Sequence, residues 1–561
     1  MSKPFNLLHE RWIPVALGDG KRVFVRPGDI SQPHDGQAII RIATGRPDCD
    51  ISLTEFLIGL LAVTMGPETR RDWVHRYRNP PSRDELEAAF VPLEPPMMLD
   101  GEGARFFQDA ETLTGEPNGI DALFIDAPGT STIRDNADHF VKRGRTNALS
   151  RAGAAIALAT LQTSAPSGGA GHRTSLRGGG PLTTLVLPGQ PGKTEPTLWQ
   201  SLWANVPNRQ DDDALDLKRV FPWLSPTRVS DKAGVETTPT DVDPLQCFFG
   251  MPRRIRLVFE ANPSQLPCDL LGIVDDVIVT GYVTRPWGTN YTAWSQGHPL
   301  SPYYRPKKDA VEYLPLHLQS SRVGYRQYLG LALKSEASLR LPARSVSEFY
   351  TRAQEFRGVE KQAAKNSRLV AAGYAMDNMK PLDFGEALMP LIVTGDPSDD
   401  GLVHDFAERF VKAADLVANQ LTNAVRRALY GETTKADRDS TVLDAVRQRF
   451  WADTEQDFYA ALRDTAEALI AAKEDSHERI EAIRQERGKV WLADMRKSAL
   501  AIFDDAVPIE DAESDRIKDV IEGRKMLMFA LTGFGAVGTQ IFAALQLPPM
   551  ESKAKKGRRA A

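Results

Sequence analysis

Near Pro390 the chain changes texture, and that change constrains its fold more than any other feature. From Leu402 to Tyr430, Val442 to Ala472, His477 to Phe503 and Asp511 to about Leu531, apolar residues recur at helical spacing with charged residues between them. Phe406, Phe410, Ala413, Val417, Leu421 and Val425 form one such stripe. Breaks at Gly431, at 473–475 and at Pro508 divide the region into about four helices, the pattern of a bundle. Everything before it reads differently. Residues 1–385 mix brief helices with β-branched runs such as Leu182–Leu187, Arg254–Phe259 and Ile273–Val279, cut by many Gly and Pro. Strands and helices do not alternate strictly, and no solenoid-like repeat is visible. The predicted class is therefore α+β: an irregular mixed α/β domain over 1–385, a C-terminal four-helix bundle over 386–550, and a basic, disordered tail over 551–561.

Charge and cysteine usage narrow the function classes. With 69 Lys+Arg against 74 Asp+Glu the net charge is −5, which excludes binding nucleic acid through total charge but leaves room for a local basic groove. Cys49, Cys247 and Cys268 lie too far apart for a disulfide framework or a four-thiolate zinc site, as expected in a reducing cytoplasm. The most apolar early stretch, Phe56–Met65, is half the ~20 residues a bilayer needs. It reads as a buried helix opened by the capping box Ser52–Glu55. No signal-peptide profile is visible at Met1–Phe5, so no membrane partner is expected.

Enzyme signatures fail in detail. Gly189-Gln-Pro-Gly-Lys-Thr194 follows a strand-like run, but Leu187 stands where a phosphate loop needs glycine, and Pro188 and Pro191 remove N–H donors. Pro196 reads as the first residue of a helix capped by Thr194. The segment Gly168–Gly180 is the most unusual in the chain: its glycines permit close backbone approach to a ligand, and Arg173 and Arg177 add two cations. His172 and Ser175 within it lack the elbow that would fix a nucleophile and its base. The nine histidines include no His-x-x-x-His or His-Glu-x-x-His pair, so no metal and no cofactor are expected.

Nucleic-acid signals are stronger. His139-Phe-Val-Lys-Arg-Gly-Arg145 interleaves an aromatic with Lys142, Arg143 and Arg145, the pairing that stacks bases and neutralises phosphates; a solvated helix face is the alternative. Tyr282–Tyr291 places Arg285 beside a Pro-restricted bend among aromatics.

Five motifs occur in order: Asn6-Leu-Leu-x-x-x-Trp-Ile-Pro-Val15, Phe124-Ile-Asp-Ala-Pro-Gly129, Ser175-Leu-Arg-Gly-Gly-Gly-Pro-Leu-Thr-Thr184, His298-Pro-Leu-Ser-Pro302 and Gly373-Tyr-Ala-Met-Asp-Asn-Met-Lys380. Together they resemble the large subunit of the type I-E CRISPR surveillance complex, the CasA subunit of Cascade. The resemblance implies a non-enzymatic DNA reader. Its partners would be the CRISPR RNA through its 5′ handle, target double-stranded DNA, the backbone and small Cascade subunits, and a helicase-nuclease that it helps recruit. A protein reading a few base pairs at ~1–3 kcal/mol each cannot select a genomic site alone, so guide pairing carries the sequence and the protein gates entry.

The implied site residues follow position by position. Phe124 and Asp126 belong to the guide-handle loop beside the adjacent motif, Asp126 in an Asn-like position. Gly169, Ala170 and Gly171 make the minor-groove contact, with Ala170 where a glycine is expected. Arg285 is the basic finger in that groove, whose degenerate code tolerates several motifs. Asp377 and Asn378 form the wedge that parts the first base pair, with Asn378 in place of a longer amide. Lys142, Arg143, Arg145, Arg173 and Lys380 supply phosphate contacts, and no residue is assigned to catalysis. Two other readings stay open: a hydrolase or nuclease using the glycine segment with His172, and a scaffold that binds only protein or guide RNA.

Overall fold

The computed structural model describes residues 3–129, 133–134, 136, 144–169, 171–209, 215–231, 235–318, 323–334, 339–431, 440–472, 477–511 and 516–550. Two compact units are distinguished: residues up to Val323 together with Gly330–Val393, and Gly324–Leu329 together with the helices from Thr394 onward.

The first unit begins with an antiparallel three-stranded sheet in the order β2-β1-β3, formed by β1 (Ile13–Leu17), β2 (Arg22–Val25) and β3 (Ile39–Ile42). All five residues of β1 are buried. Helix α1 (Pro47–Met65) follows, with Pro47 at its first position. The capping box expected at Ser52–Glu55 is absent: α1 begins five residues earlier, and both side chains lie inside it, buried. Leu53, Phe56, Leu57, Ile58, Leu60 and Leu61 are buried in turn, the all-round apolar pattern of a core helix. At Gly59 the helix touches a neighbour so closely that a Cβ would stand 2.7 Å from the Phe248 side chain.

A second antiparallel sheet orders Lys380–Pro390, Arg368–Asp377 and Thr183–Leu187. In a third sheet Arg254–Ala261 pairs with Val277–Arg285. The run expected from Ile273 enters its strand only at Val277, and Arg285 is the last strand residue, ahead of the bend. The helix expected from Pro196 is Leu198–Asn205, capped by Thr197, whose hydroxyl accepts from the Gln200 amide; Gln190–Lys193 before it is a turn.

The second unit is helical: Pro397–Tyr430, Ser440–Asp453, Glu455–Ala471, His477–Ala506, Ile517–Leu531 and Gly535–Ala544. The first starts earlier than its apolar stripe because Asp396 accepts from the Ser398 and Asp399 amides and Pro397 sits at the first turn. It ends at Gly431, φ 68°. The stretch expected to be one helix over 442–472 divides at Thr454, whose hydroxyl donates to the Phe450 carbonyl at 2.6 Å and pairs with the Tyr325 hydroxyl at 2.7 Å. Tyr325, carried in by Gly324–Leu329, stacks on Phe458 at 4.4 Å. A final short helix, Gly535–Ala544, adds to the four expected stretches. Among the described residues Ile517–Ala544 has the length and composition of a membrane span, but Gly533, φ 86°, breaks it, and both halves pack on Pro397–Tyr430.

Candidate nucleic-acid interface

The glycine segment links two of the sequence-derived elements. The amide of Trp287, two residues past Arg285, donates to the Gly171 carbonyl at 2.9 Å. Gly171 has φ 82°, and a Cβ there would stand 2.7 Å from the Trp287 ring. Gly169, φ 67°, is exposed, with nothing within 4 Å of its Cβ position. At the other end, a Cβ on Gly179 would meet the Met379 sulfur at 2.9 Å, and one on Gly180 would meet the Tyr374 Cβ at 2.7 Å. Glycine lets this backbone lie between Trp287 and the 368–390 hairpin.

That hairpin turns through Asn378 and Met379, with φ 47° and 64°. Positive φ at both central residues matches the right-handed twist of the flanking strands. Asp377, Asn378, Met379 and Lys380 are all exposed, and the Asn378 amide donates to the Asp377 carboxylate at 3.0 Å. Met379, 43% exposed, is a strained apolar residue at the tip that was not among the residues expected from sequence. Its signal was available: a two-residue Asn-Met connection between strands forces Met379 outward.

The basic finger and the loop cations have partners. Arg285 donates to the carbonyl of Thr114 and, at 3.1 Å, to its hydroxyl. Arg173 donates to the Ser230 hydroxyl and carbonyl at 2.7 and 3.0 Å and lies 5.3 Å over the Trp287 ring. Arg177, expected to face anions, is instead 3% exposed and bound to Glu55 at 2.6 Å. Its cation is internal because Thr183 and Ser301 complete its hydrogen bonds at 3.0 Å. Ser175 donates to the Gly178 carbonyl at 2.5 Å, inside its own turn. Burial, reinforced by Arg253, lowers the His172 pKa and favours its neutral form.

Phe124 and Asp126 meet a residue not anticipated, Arg46. Its guanidinium lies 4.7 Å over the Phe124 ring and donates to Asp126 at 2.9 Å and Asp48 at 2.8 Å. Asp126 is exposed and shares the single Arg46 guanidinium with the buried Asp48. Phe124 itself is buried beneath the guanidinium. Arg46, Phe124 and Asp126 border a cavity of about 470 Å³ together with the exposed Arg145. A second cavity of about 350 Å³ joins Arg46 and Asp126 to Tyr374 and Phe384 of the hairpin. Ala170, Lys142 and Arg143 lie outside the described residues, as does the basic tail. Among the described residues no His/Cys/Asp/Glu group has the arrangement of a metal site.

Comparison with known proteins follows the same lines. The sequence model of a family described as CRISPR-associated protein Cse1 matches residues 6–502. CasA from Thermus thermophilus is similar at 20% identity and a TM-score of 0.66, covering 95% of this chain and 100% of the other. Cse1 from Acidimicrobium ferrooxidans is 17% identical, TM-score 0.64, over 97% of this chain and 99% of its own. A chain of a CRISPR RNA-guided surveillance complex matches at 17% identity and TM-score 0.66, over 94% and 100%. At these identities the structural likeness shows a shared fold.

Proposed function

The chain belongs to the CRISPR-associated Cse1 family, large subunits of the type I-E Cascade complex, and from that premise we propose that it reads a short motif in target double-stranded DNA and opens the duplex beside it. The role is non-catalytic. One observation supports the reading: the glycine segment touches Trp287 through Gly171 and Met379 of the hairpin tip through Gly179, which links the proposed groove-reading loop to the proposed wedge. Gly169 is open to a close-approaching duplex, and Arg285 needs only to leave Thr114 to enter a minor groove. Asn378 offers an amide to an exposed base edge, and Met379 an apolar edge for unstacking.

The 124–126 loop, with Arg145 across its cavity, is the proposed seat of the CRISPR RNA 5′ handle. Arg173 and Lys380 would then lie along the phosphates, Arg173 after exchange of its Ser230 hydrogen bonds. The helical unit serves the backbone and small subunits and the recruited helicase-nuclease, all in the cytoplasm of a prokaryote. In an assembled complex, Arg285→Ala and Asn378→Ala are expected to weaken capture of a motif-bearing duplex in an electrophoretic shift. Unchanged capture and strand opening in both would reduce these loops to a scaffold.

A further inference from the structure

Helix α1 is apolar along most of its length, yet it buries two carboxylates on one side. Asp48 is 4% exposed and Glu55 2% exposed, and their seven-residue spacing places them two turns, about 10 Å, apart on one face. Each gathers segments distant in sequence. Asp48 accepts from Arg46 at 2.8 and 3.1 Å and from the Tyr374 hydroxyl at 2.5 Å. The same Arg46 holds Asp126 and covers Phe124. Glu55 accepts from Arg177 at 2.6 Å and from the Thr183 hydroxyl, and Arg177 reaches on to Ser301. Four of the five motif segments named above therefore converge on two carboxylates of one helix.

A buried carboxylate is costly unless fully paired, and an apolar residue would fit this core helix at lower cost. What the carboxylates add is register. Tyr374 lies three residues before Asp377, on the strand that ends in the hairpin tip, and its ring packs edge-on against Phe384 at 4.9 Å. Burial and the Asp48 charge raise the Tyr374 pKa, so its hydroxyl remains a donor.

We propose that α1 is the positioning element of the duplex-reading face, with Asp48, Arg46 and Tyr374 tying the 124–126 loop to the hairpin tip and Glu55 tying down the glycine segment through Arg177. RNA seated on the loop is then transmitted to the wedge through Arg46, Asp48 and Tyr374, which are positioning residues and touch no base. The inference rests on the reading above and deepens it.

The test uses the assembled complex with its guide RNA and a duplex carrying 2-aminopurine at the first base pair past the motif. Tyr374→Phe keeps the ring and removes the bond to Asp48, so it is expected to leave duplex capture within about twofold while lowering the opening signal about tenfold. Arg46→Lys, which keeps the charge but loses the fork shared by Asp48 and Asp126, lowers opening likewise. The double variant opens no less than the worse single one, because both act through one connected set of side chains. Full opening by Tyr374→Phe, or additive losses that follow a drop in melting temperature, overturn the positioning role. Absence of opening by the unmodified complex overturns the duplex-opening reading itself.

Discussion

Replacing Gly169 and Gly171 separately by alanine distinguishes the cost of folding the glycine segment from the cost of docking it. Both residues have left-handed φ, 67° and 82°, so each substitution carries roughly 1–2 kcal/mol of backbone strain. At Gly169 the added Cβ meets open space, and that strain is the whole cost. At Gly171 the Cβ would stand 2.7 Å from the Trp287 ring, adding roughly 1–3 kcal/mol of overpacking. The ring cannot withdraw freely: its amide is bonded to the Gly171 carbonyl, and Arg173 lies over its face. Gly171→Ala is therefore expected to open the segment roughly 5- to 150-fold more than Gly169→Ala. Hydrogen exchange of a 166–173 peptide reads this difference directly. Duplex capture by the assembled complex adds the second axis, since Gly169→Ala is expected to lose binding beyond its strain if DNA approaches that backbone closely. Equal exchange in the two variants would refute the packing argument, and unimpaired capture by Gly169→Ala would refute the docking role.

Other expectations follow from the same geometry. Glu55→Gln leaves the Arg177 cation buried without a counter-charge and is expected to cost about 3–5 kcal/mol in chemical denaturation; a loss below about 1 kcal/mol would show that Thr183 and Ser301 suffice. His298 is 1% exposed, and burial, then Arg177 and Arg344, hold its pKa well below the ordinary 6.5. The unfolded chain therefore binds this proton more readily than the folded one. The stability tied to neutral His298 is present above pH 6.5 and is lost as pH falls below it. His298→Gln should flatten that slope in denaturation series. Lys380→Ala, at an exposed position beside the hairpin tip, should lower the salt slope of duplex binding by about 0.9 for each phosphate that goes unneutralised, and an unchanged slope would remove Lys380 from the phosphate path.

Legibility from sequence divided along physical lines. The stripe through Phe406, Phe410, Val417 and Leu421 announced a helix because helical period is a local property, and Asp396-Pro397 carries its start signal. Thr454 carried no such mark, since its helix break depends on Tyr325 arriving from a distant segment. Ser52–Glu55 looked like a cap because both residue types suit one, but the surrounding core decided otherwise, and Glu55 faces Arg177, 122 positions away.

The candidate site divides in the same way. The order of motifs and the freedom of the glycine backbone were readable, because backbone freedom acts over a few residues. Which cations are buried and which exposed was not. Arg177 and Arg145 are alike as letters, and only packing placed one against Glu55 and the other beside an open cavity. Arg46 escaped notice for the same reason: its role arises from Asp48, Asp126 and Phe124 meeting around it. Local sequence set the helices, strands and turns through short-range sterics and periodicity. Tertiary structure alone chose the partners of the charges, because the strength of an ion pair depends on desolvation and geometry between residues that meet only in the fold.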